Sequence, residues 1–281
     1  MTNAFAPLLT MNDGQSIPQV GLGVYKVAAD DTAALVHGAI AAGYRHIDTA
    51  ALYENEEGVG EGVRASGVPR EQLFVTSKVW NDRHGIDETR RAFHESLAKT
   101  GLDYLDLFLI HWPAPTQDRY VDAWRALIAL RDEGVVRSIG VSNFEPSHLR
   151  RIVDSTGVAP AVNQVELHPH LPQHDVRAAD AAYGVLTESW SPLARGRVLE
   201  TGSRDREVLD GIGEKHGRTA AQVALRWHVQ QGLVIIPKSA SLSRVRANAD
   251  VVDWTLDPDD MVAIGSLETG ERTGLHPDDH G

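Results

Sequence analysis

Leu105-Asp106-Leu107-Phe108-Leu109-Ile110, closed by His111, reads as a buried strand ending in a polar side chain; beyond it lie a helical pattern from Tyr120 to Asp132, Gly134, and a second such strand, Arg137-Ser138-Ile139-Gly140-Val141, closed by Ser142-Asn143. Short apolar runs on either side of a segment with 3.6-residue spacing describe a strand, a helix and a strand, and units of this kind lay their strands parallel. Outward from this stretch the pattern repeats. Tyr44-Arg45-His46-Ile47 ends at Asp48, Leu73 to Ser77 at Lys78, Ala161-Val162-Asn163 at Gln164, Val185 to Glu188 at Ser189-Trp190, and Leu233 to Pro237 at Lys238. Buried strands gain nothing from ending repeatedly in Asp, Lys, His and Gln unless those ends meet at one place.

Helical spacing fills the gaps at Thr32 to Ala42, Asn55 to Ala65, Glu88 to Thr100, Pro146 to Asp154, His174 to Tyr183, Ala220 to Gln231 and Ser243 to Asp250. Gly43, Gly67, Gly101, Gly134, Gly184 and Gly232 each follow such a pattern, as helix-ending glycines do. Starting from Gln19 to Gly23, eight strand and helix pairs can be counted, with extra helices at Arg204 to His216 and Pro258 to Leu267. That count matches a closed barrel, for which ~250 residues is usual. Leu8 to Pro18, with Asn12-Asp13-Gly14 at its middle, predicts a hairpin across the barrel's bottom. The expected fold is therefore α/β, one (β/α)8 TIM-barrel domain over residues 1–281 with an N-terminal β-hairpin and extra helices. A doubly wound dinucleotide-binding sheet would carry G-x-G-x-x-G at its first turn, whereas Gly21-Leu22-Gly23 runs into Val24-Tyr25-Lys26.

Composition narrows the partners. A formal charge of −12 argues against a phosphate-backbone footprint, which needs clustered Lys and Arg, so nucleic acid is not expected. The chain has no cysteine, which removes disulfides, thiol nucleophiles and thiolate metal sites. Met1 to Asp13 lacks the basic start and apolar run of an export signal, and no stretch approaches the roughly 18 apolar residues of a membrane span. A cytoplasmic protein without a membrane partner is the expectation.

In a barrel, strand ends converge on the C-terminal face, where active sites sit. Asp48, Tyr53, Lys78 and His111 would meet there. A tyrosine of pKa roughly 10 donates poorly near neutrality, and an adjacent ammonium is expected to lower it. Lys78 can supply that charge, with Asp48 keeping it protonated. A carbonyl oxygen held by Tyr53 and His111 becomes electrophilic, and Tyr53 can protonate it as a hydride reaches the carbon.

Gly43-Tyr44-Arg45-His46-Ile47-Asp48-Thr49-Ala50-Ala51-Leu52-Tyr53-Glu54-Asn55-Glu56 resembles the first signature of the aldo-keto reductases, and Ile139 to Phe144 and Ile236-Pro237-Lys238-Ser239 are similar to two others. Lys78 to His84, Asn163 to Pro169 and Glu188 to Leu193 resemble the prokaryotic branch that includes the 2,5-diketo-gluconate reductases. The resemblance implies an NADPH-dependent carbonyl reductase, expected as a monomer, with Asp48, Tyr53, Lys78 and His111 as catalytic tetrad and no metal. It implies Ser142, Asn143 and Gln164 on the nicotinamide carboxamide, and Trp190 stacked on the ring with Ser191 and Leu193 beside it. Lys238, Ser239 and Arg244 would grip the 2′-phosphate, and Asn248 would face adenine. Ala247 stands where relatives often have Glu. Tyr25, Trp80 and Trp112 would line the substrate pocket, with Phe144 and the tail around Leu275 and His276 as further walls. A short segment from Arg195 to Gly202, without a long insertion over the pyrophosphate, implies rapid cofactor exchange.

Two other readings stay open on the residues alone. His168-Pro169-His170 could hold zinc in a metal hydrolase, although a third ligand is hard to place and Tyr53 and Lys78 would have no task. A catalytically quiet NADPH-binding barrel is the other.

Overall fold

The computed structural model describes residues 6–280. A hairpin, β1 (Leu8–Thr10) and β2 (Ser16–Pro18), precedes the repeating units. These are β3 (Leu22–Gly23), α1 (Ala29–Ala41), β4 (His46–Asp48), α2 (Glu56–Ala65), β5 (Phe74–Val79), α3 (Ile86–Thr100), β6 (Leu105–Ile110), α4 (Tyr120–Asp132), β7 (Val136–Ser142), α5 (Pro146–Thr156), β8 (Val162–Glu166), α6 (His174–Ala182) and β9 (Leu186–Trp190). An added helix α7 (Arg204–His216) comes next, followed by α8 (Ala220–Gln230), β10 (Val234–Ile235), α9 (Leu242–Ala249) and α10 (Pro258–Gly265). Neighbouring strands from β3 to β10 pair in parallel and in sequence order.

The two shortest strands close the ring. Val20 bridges Ile235 and Gly23 bridges Lys238, both parallel, while Gly21 N donates to Ile235 O at 2.8 Å and Ile235 N to Gln19 O at 2.9 Å. The molecule is thus the expected (β/α)8 barrel, joined at the seam by bridges rather than by a long ladder. This explains Gly21 and Gly23. A Cβ on Gly21 would lie 2.6 Å from His46 Nδ1, and one on Gly23 would lie 2.9 Å from the Ile236 carbonyl oxygen. The seam needs bare backbone there.

Helices take up their expected places because their apolar stripes face the sheet. Leu35, Val36, Phe93, Trp124 and Leu127 are buried against Phe108, Val75 and Ile139 in one core. Leu209, Ile212, Trp227 and Ile264 make a second under the added helices. Ile17 and Met11 of the hairpin region join Phe74, Leu107, Leu109 and Val234 in a third, so the hairpin fills the barrel's bottom. All six glycines expected to end helices have positive φ, as Gly101 does at 60°. Helix α1 begins earlier than the apolar spacing suggests, because Asp30 and Asp31 occupy its first turn, where carboxylates favour the helix dipole. No helix among the described residues is long and apolar enough to cross a membrane.

After α10 the chain returns over the barrel's C-terminal face. Thr269 N and Gly270 N donate to His170 O, Arg272 Nη2 pairs with Glu145 at 2.8 Å, and His148 Nε2 lies 3.2 Å from Asp278.

Candidate active site

Strand ends deliver the first side chains. Asp48 is the last residue of β4, and in register Gly23 lies beside Asp48, Ser142 beside Gln164 and Gln164 beside Glu188. Lys78 Nζ, fully buried, donates to Asp48 Oδ1 at 2.6 Å and to the Thr49 carbonyl at 2.8 Å. Asp48 Oδ2 accepts from Gln164 Nε2 at 2.8 Å.

Tyr53 closes a short 3₁₀ turn, Ala51–Tyr53, that Glu54 ends in a left-handed conformation at φ 56°. Asn55 pins this turn: its Oδ1 accepts from Thr49 Oγ1 at 2.7 Å and its Nδ2 donates to the Val24 carbonyl at 3.0 Å. The Tyr53 ring stands 5.6 Å from the His111 ring, edge to face, with Lys78 Nζ 5.3 Å from its centre. Burial pushes the Tyr53 phenol well above its usual 10, and the negative charge of Asp48 adds to this. The expected lowering by Lys78 is outweighed by this burial. His111 is held well below 6.5 by burial and by the Lys78 charge, so its ring is neutral.

At the end of β7, Asn143 adopts φ 62°, a conformation asparagine tolerates, and its N–H donates to the Gln164 carbonyl at 2.9 Å. Its side chain ties three elements: Nδ2 donates to the His111 carbonyl at 2.9 Å, and Oδ1 accepts from Trp190 Nε1 at 2.8 Å. Ser142 Oγ donates to the Gln164 carbonyl at 2.7 Å.

A cavity of about 300 Å³ gathers Asp48, Tyr53, His111, Ser142, Asn143, Gln164, Trp190, Ser191 and Lys238 with Tyr25, Trp80 and Trp112. Lys78 lies beneath it. Leu193, Ser239, Arg244 and Asn248 are not on its wall; Arg244, exposed on α9, reaches Ser239 Oγ at 3.4 Å. Neither Lys238 nor Arg244 forms an ion pair among the described residues. Phe144 is corrected: it is buried edge-to-face against Tyr120 at 5.5 Å and is no pocket wall. His276 is also corrected, since its Nδ1 accepts from Asp278 N at 3.2 Å and it is not on the wall, whereas Leu275 lines the cavity as expected, joined by His280. Sequence reading missed Leu52, Arg195, Gly274 and His280. His280 sits against the Trp112 ring at 4.4 Å and the Trp80 ring at 5.8 Å. Glu166 explains how the tail arrives there, because its carboxylate accepts from Thr273 N at 2.6 Å, Thr273 Oγ1 and Gly274 N at 3.0 Å. Nothing periodic in that tail could have shown it.

His168 and His170 are each taken up by a separate carboxylate, Glu166 at 3.1 Å and Asp205 at 2.7 Å. The segment after β9 is a tight turn, Ala194–Leu199, with left-handed Arg195 and Gly196.

The chain's matches agree with this architecture. Residues 19–269 match the family model described as the Aldo/keto reductase family. The chain belongs to that family. An aldo-keto reductase of Mycolicibacterium smegmatis is 52% identical over 97% of both chains. The methylglyoxal reductase DkgA of Salmonella typhimurium is 48% identical over 98% of both. The crystal structure of a Gox0644 mutant in complex with NADPH is 46% identical, with a TM-score of 0.93 over 98% of this chain and 99% of that one. As an aldo-keto reductase barrel, the chain has the groups a nicotinamide dinucleotide requires. An amide oxygen, Gln164 Oε1, takes no hydrogen bond among the described residues, the Trp190 indole flanks the cavity, Lys238 lies on its wall and Arg244 stands beyond it.

Proposed function

We propose that this chain uses NADPH to reduce small aldehydes, ketones and dicarbonyl compounds to alcohols, with Tyr53 as the proton donor. The observation that carries the reading is the meeting of Asp48, Tyr53 and His111 on one cavity, with Lys78 paired to Asp48 beneath them. NADPH, when bound, supplies the hydride. The chain's own residues do the rest. His111 is uncharged and its buried Nδ1 has no partner among the described residues, which leaves the ring proton for Nε2 to give in a hydrogen bond to the carbonyl oxygen. Tyr53 keeps its proton at neutral pH because burial holds it. An alkoxide is a stronger base than a phenolate, so the proton moves downhill to the substrate oxygen, and the nearby ammonium of Lys78 steadies the phenolate left behind. Alcohol oxidation would run through the same groups in reverse, with that phenolate accepting the hydroxyl proton.

Ser142, Asn143 and Gln164 hold the carboxamide in this reading, Trp190 covers the ring beside Ser191 and Leu193, and Lys238, Ser239 and Arg244 take the 2′-phosphate, with Asn248 toward adenine. Arginine's planar fork and lysine's point charge suit a phosphate. Tyr25, Trp80 and Trp112 shape the substrate space. The whole cavity, which the nicotinamide would share, is about 300 Å³, at the small end of ligand pockets, which fits a small carbonyl compound such as the methylglyoxal for which the DkgA relative is named. The enzyme would act as a cytoplasmic monomer formed by one domain. Following NADPH absorbance with methylglyoxal, other dicarbonyls, aldehydes and sugars tests this. Consumption of NADPH with small dicarbonyls, slower with NADH, is expected; no consumption with any carbonyl compound overturns the reading.

A further inference from the structure

Glu188, on β9, lies in the barrel interior below the cavity, and no step above uses it. Its side chain is fully buried. The donor it meets is Gln164 Nε2 at 2.7 Å, and the same nitrogen donates to Asp48 Oδ2 at 2.8 Å. Glu188 Oε1 has no hydrogen bond among the described residues, and His46 Nε2 is 3.7 Å away. That histidine is turned to Thr76 Oγ1 at 3.2 Å, and burial lowers its pKa to about 4, so it brings no positive charge at neutral pH.

Two carboxyl groups therefore share one amide –NH2. From β4 Glu188 faces His46 and Asp48, from β5 Lys78, and from β8 Gln164, while the paired residues of β10, Val234 and Ile235, carry nothing titratable. Lys78 is bound to Asp48 Oδ1 and a carbonyl. A second ionised carboxylate would have no counter-ion of its own in a dry interior, and like charges sharing a site favour protonation of one of them. We propose that Glu188 is a positioning residue of the hydride-transfer site: as a neutral carboxylic acid it fixes the Gln164 amide with its –NH2 toward the two carboxyl groups and its oxygen toward the nicotinamide carboxamide. This rests on Gln164 contacting the nicotinamide. A half-turn of the amide would set its oxygen against Asp48, so the orientation has one stable choice. Burial and the Asp48 charge raise the Glu188 pKa to about 8, which keeps the acid protonated at neutral pH. Above that pH a second negative charge joins Asp48 beside the Lys78 ammonium, which then steadies a Tyr53 phenolate less, and donation slows.

The test compares wild type with Glu188→Gln and Glu188→Leu, reading NADPH affinity by quenching of tryptophan fluorescence and kcat for reduction across pH. Wild type should lose kcat as pH rises through about 8. Glu188→Gln, which keeps an uncharged acceptor of the same shape, should retain neutral-pH turnover and lose that alkaline decline. Glu188→Leu frees the amide and should weaken NADPH binding roughly tenfold. An alkaline decline that persists unchanged in Glu188→Gln overturns the proposal, and it does so even if Glu188→Leu fails to fold. NADPH affinity in Glu188→Leu equal to wild type also overturns it. A wild type that binds NADPH but turns over no carbonyl compound overturns the functional reading alone, and the affinity comparison then still decides the role of Glu188.

Discussion

Arg244 shows how far a single residue's role extends. Exposed on α9 and free of carboxylates, it holds only a long contact to Ser239 Oγ, so its guanidinium is available to a phosphate. Arg244→Ala should weaken NADPH by roughly ten- to a hundredfold, the worth of one charge-assisted hydrogen bond, while NADH changes little; fluorescence titration with both nucleotides checks this, and equal weakening would contradict it. Asp48, Lys78 and His111 were legible because a charged or polar residue closing an apolar strand has no structural motive of its own. Tyr53 was legible only beside them. Its proton affinity was not, since the direction depends on how deeply the ring is buried and on Asp48 beside it, a fact of three dimensions. His280 is the opposite case: ion pairs and backbone bonds elsewhere in the tail, at Glu145, Glu166 and His148, decide where it lies.

At the scale of elements, helices matched their apolar spacing closely, and Tyr120–Asp132 and Arg204–His216 have the expected bounds. The end strands are shorter than their apolar runs, because Gln19 to Gly23 and Leu233 to Lys238 meet across the seam in single bridges. The turn Ala194–Leu199 bears on kinetics. It is short and bends back through left-handed Ala194 and Arg195, with no long flap to fold across a bound dinucleotide. NADPH should leave without a slow loop-opening step. Stopped-flow displacement is expected to show release faster than steady-state turnover, and release as the limiting step would contradict it.

For the whole molecule, buried ionisable groups set the stability profile. Burial lowers His46, His84 and His228 from 6.5 to about 4, so the unfolded chain binds protons that the folded chain refuses, and their contribution is lost as pH falls from 6.5 toward 4. Asp180 and Glu188 act in the other sense. Raised from 3.8 to about 7 and from 4.5 to about 8, they keep protons that the unfolded chain releases, and stability is lost as pH rises through those values. Above 6.5 only the carboxyl groups in this set act, so the melting temperature should fall between pH about 6.5 and about 9; a rising profile would contradict this assignment. The central claim concerns the same interior: one closed barrel brings a phenol, an ammonium, a carboxylate and an imidazole to a single cavity for carbonyl reduction. The most direct measurement is turnover of NADPH with a small dicarbonyl by Tyr53→Phe beside its NADPH affinity. The account predicts turnover lower by roughly a hundredfold or more with nearly unchanged affinity, and turnover equal to wild type would contradict it.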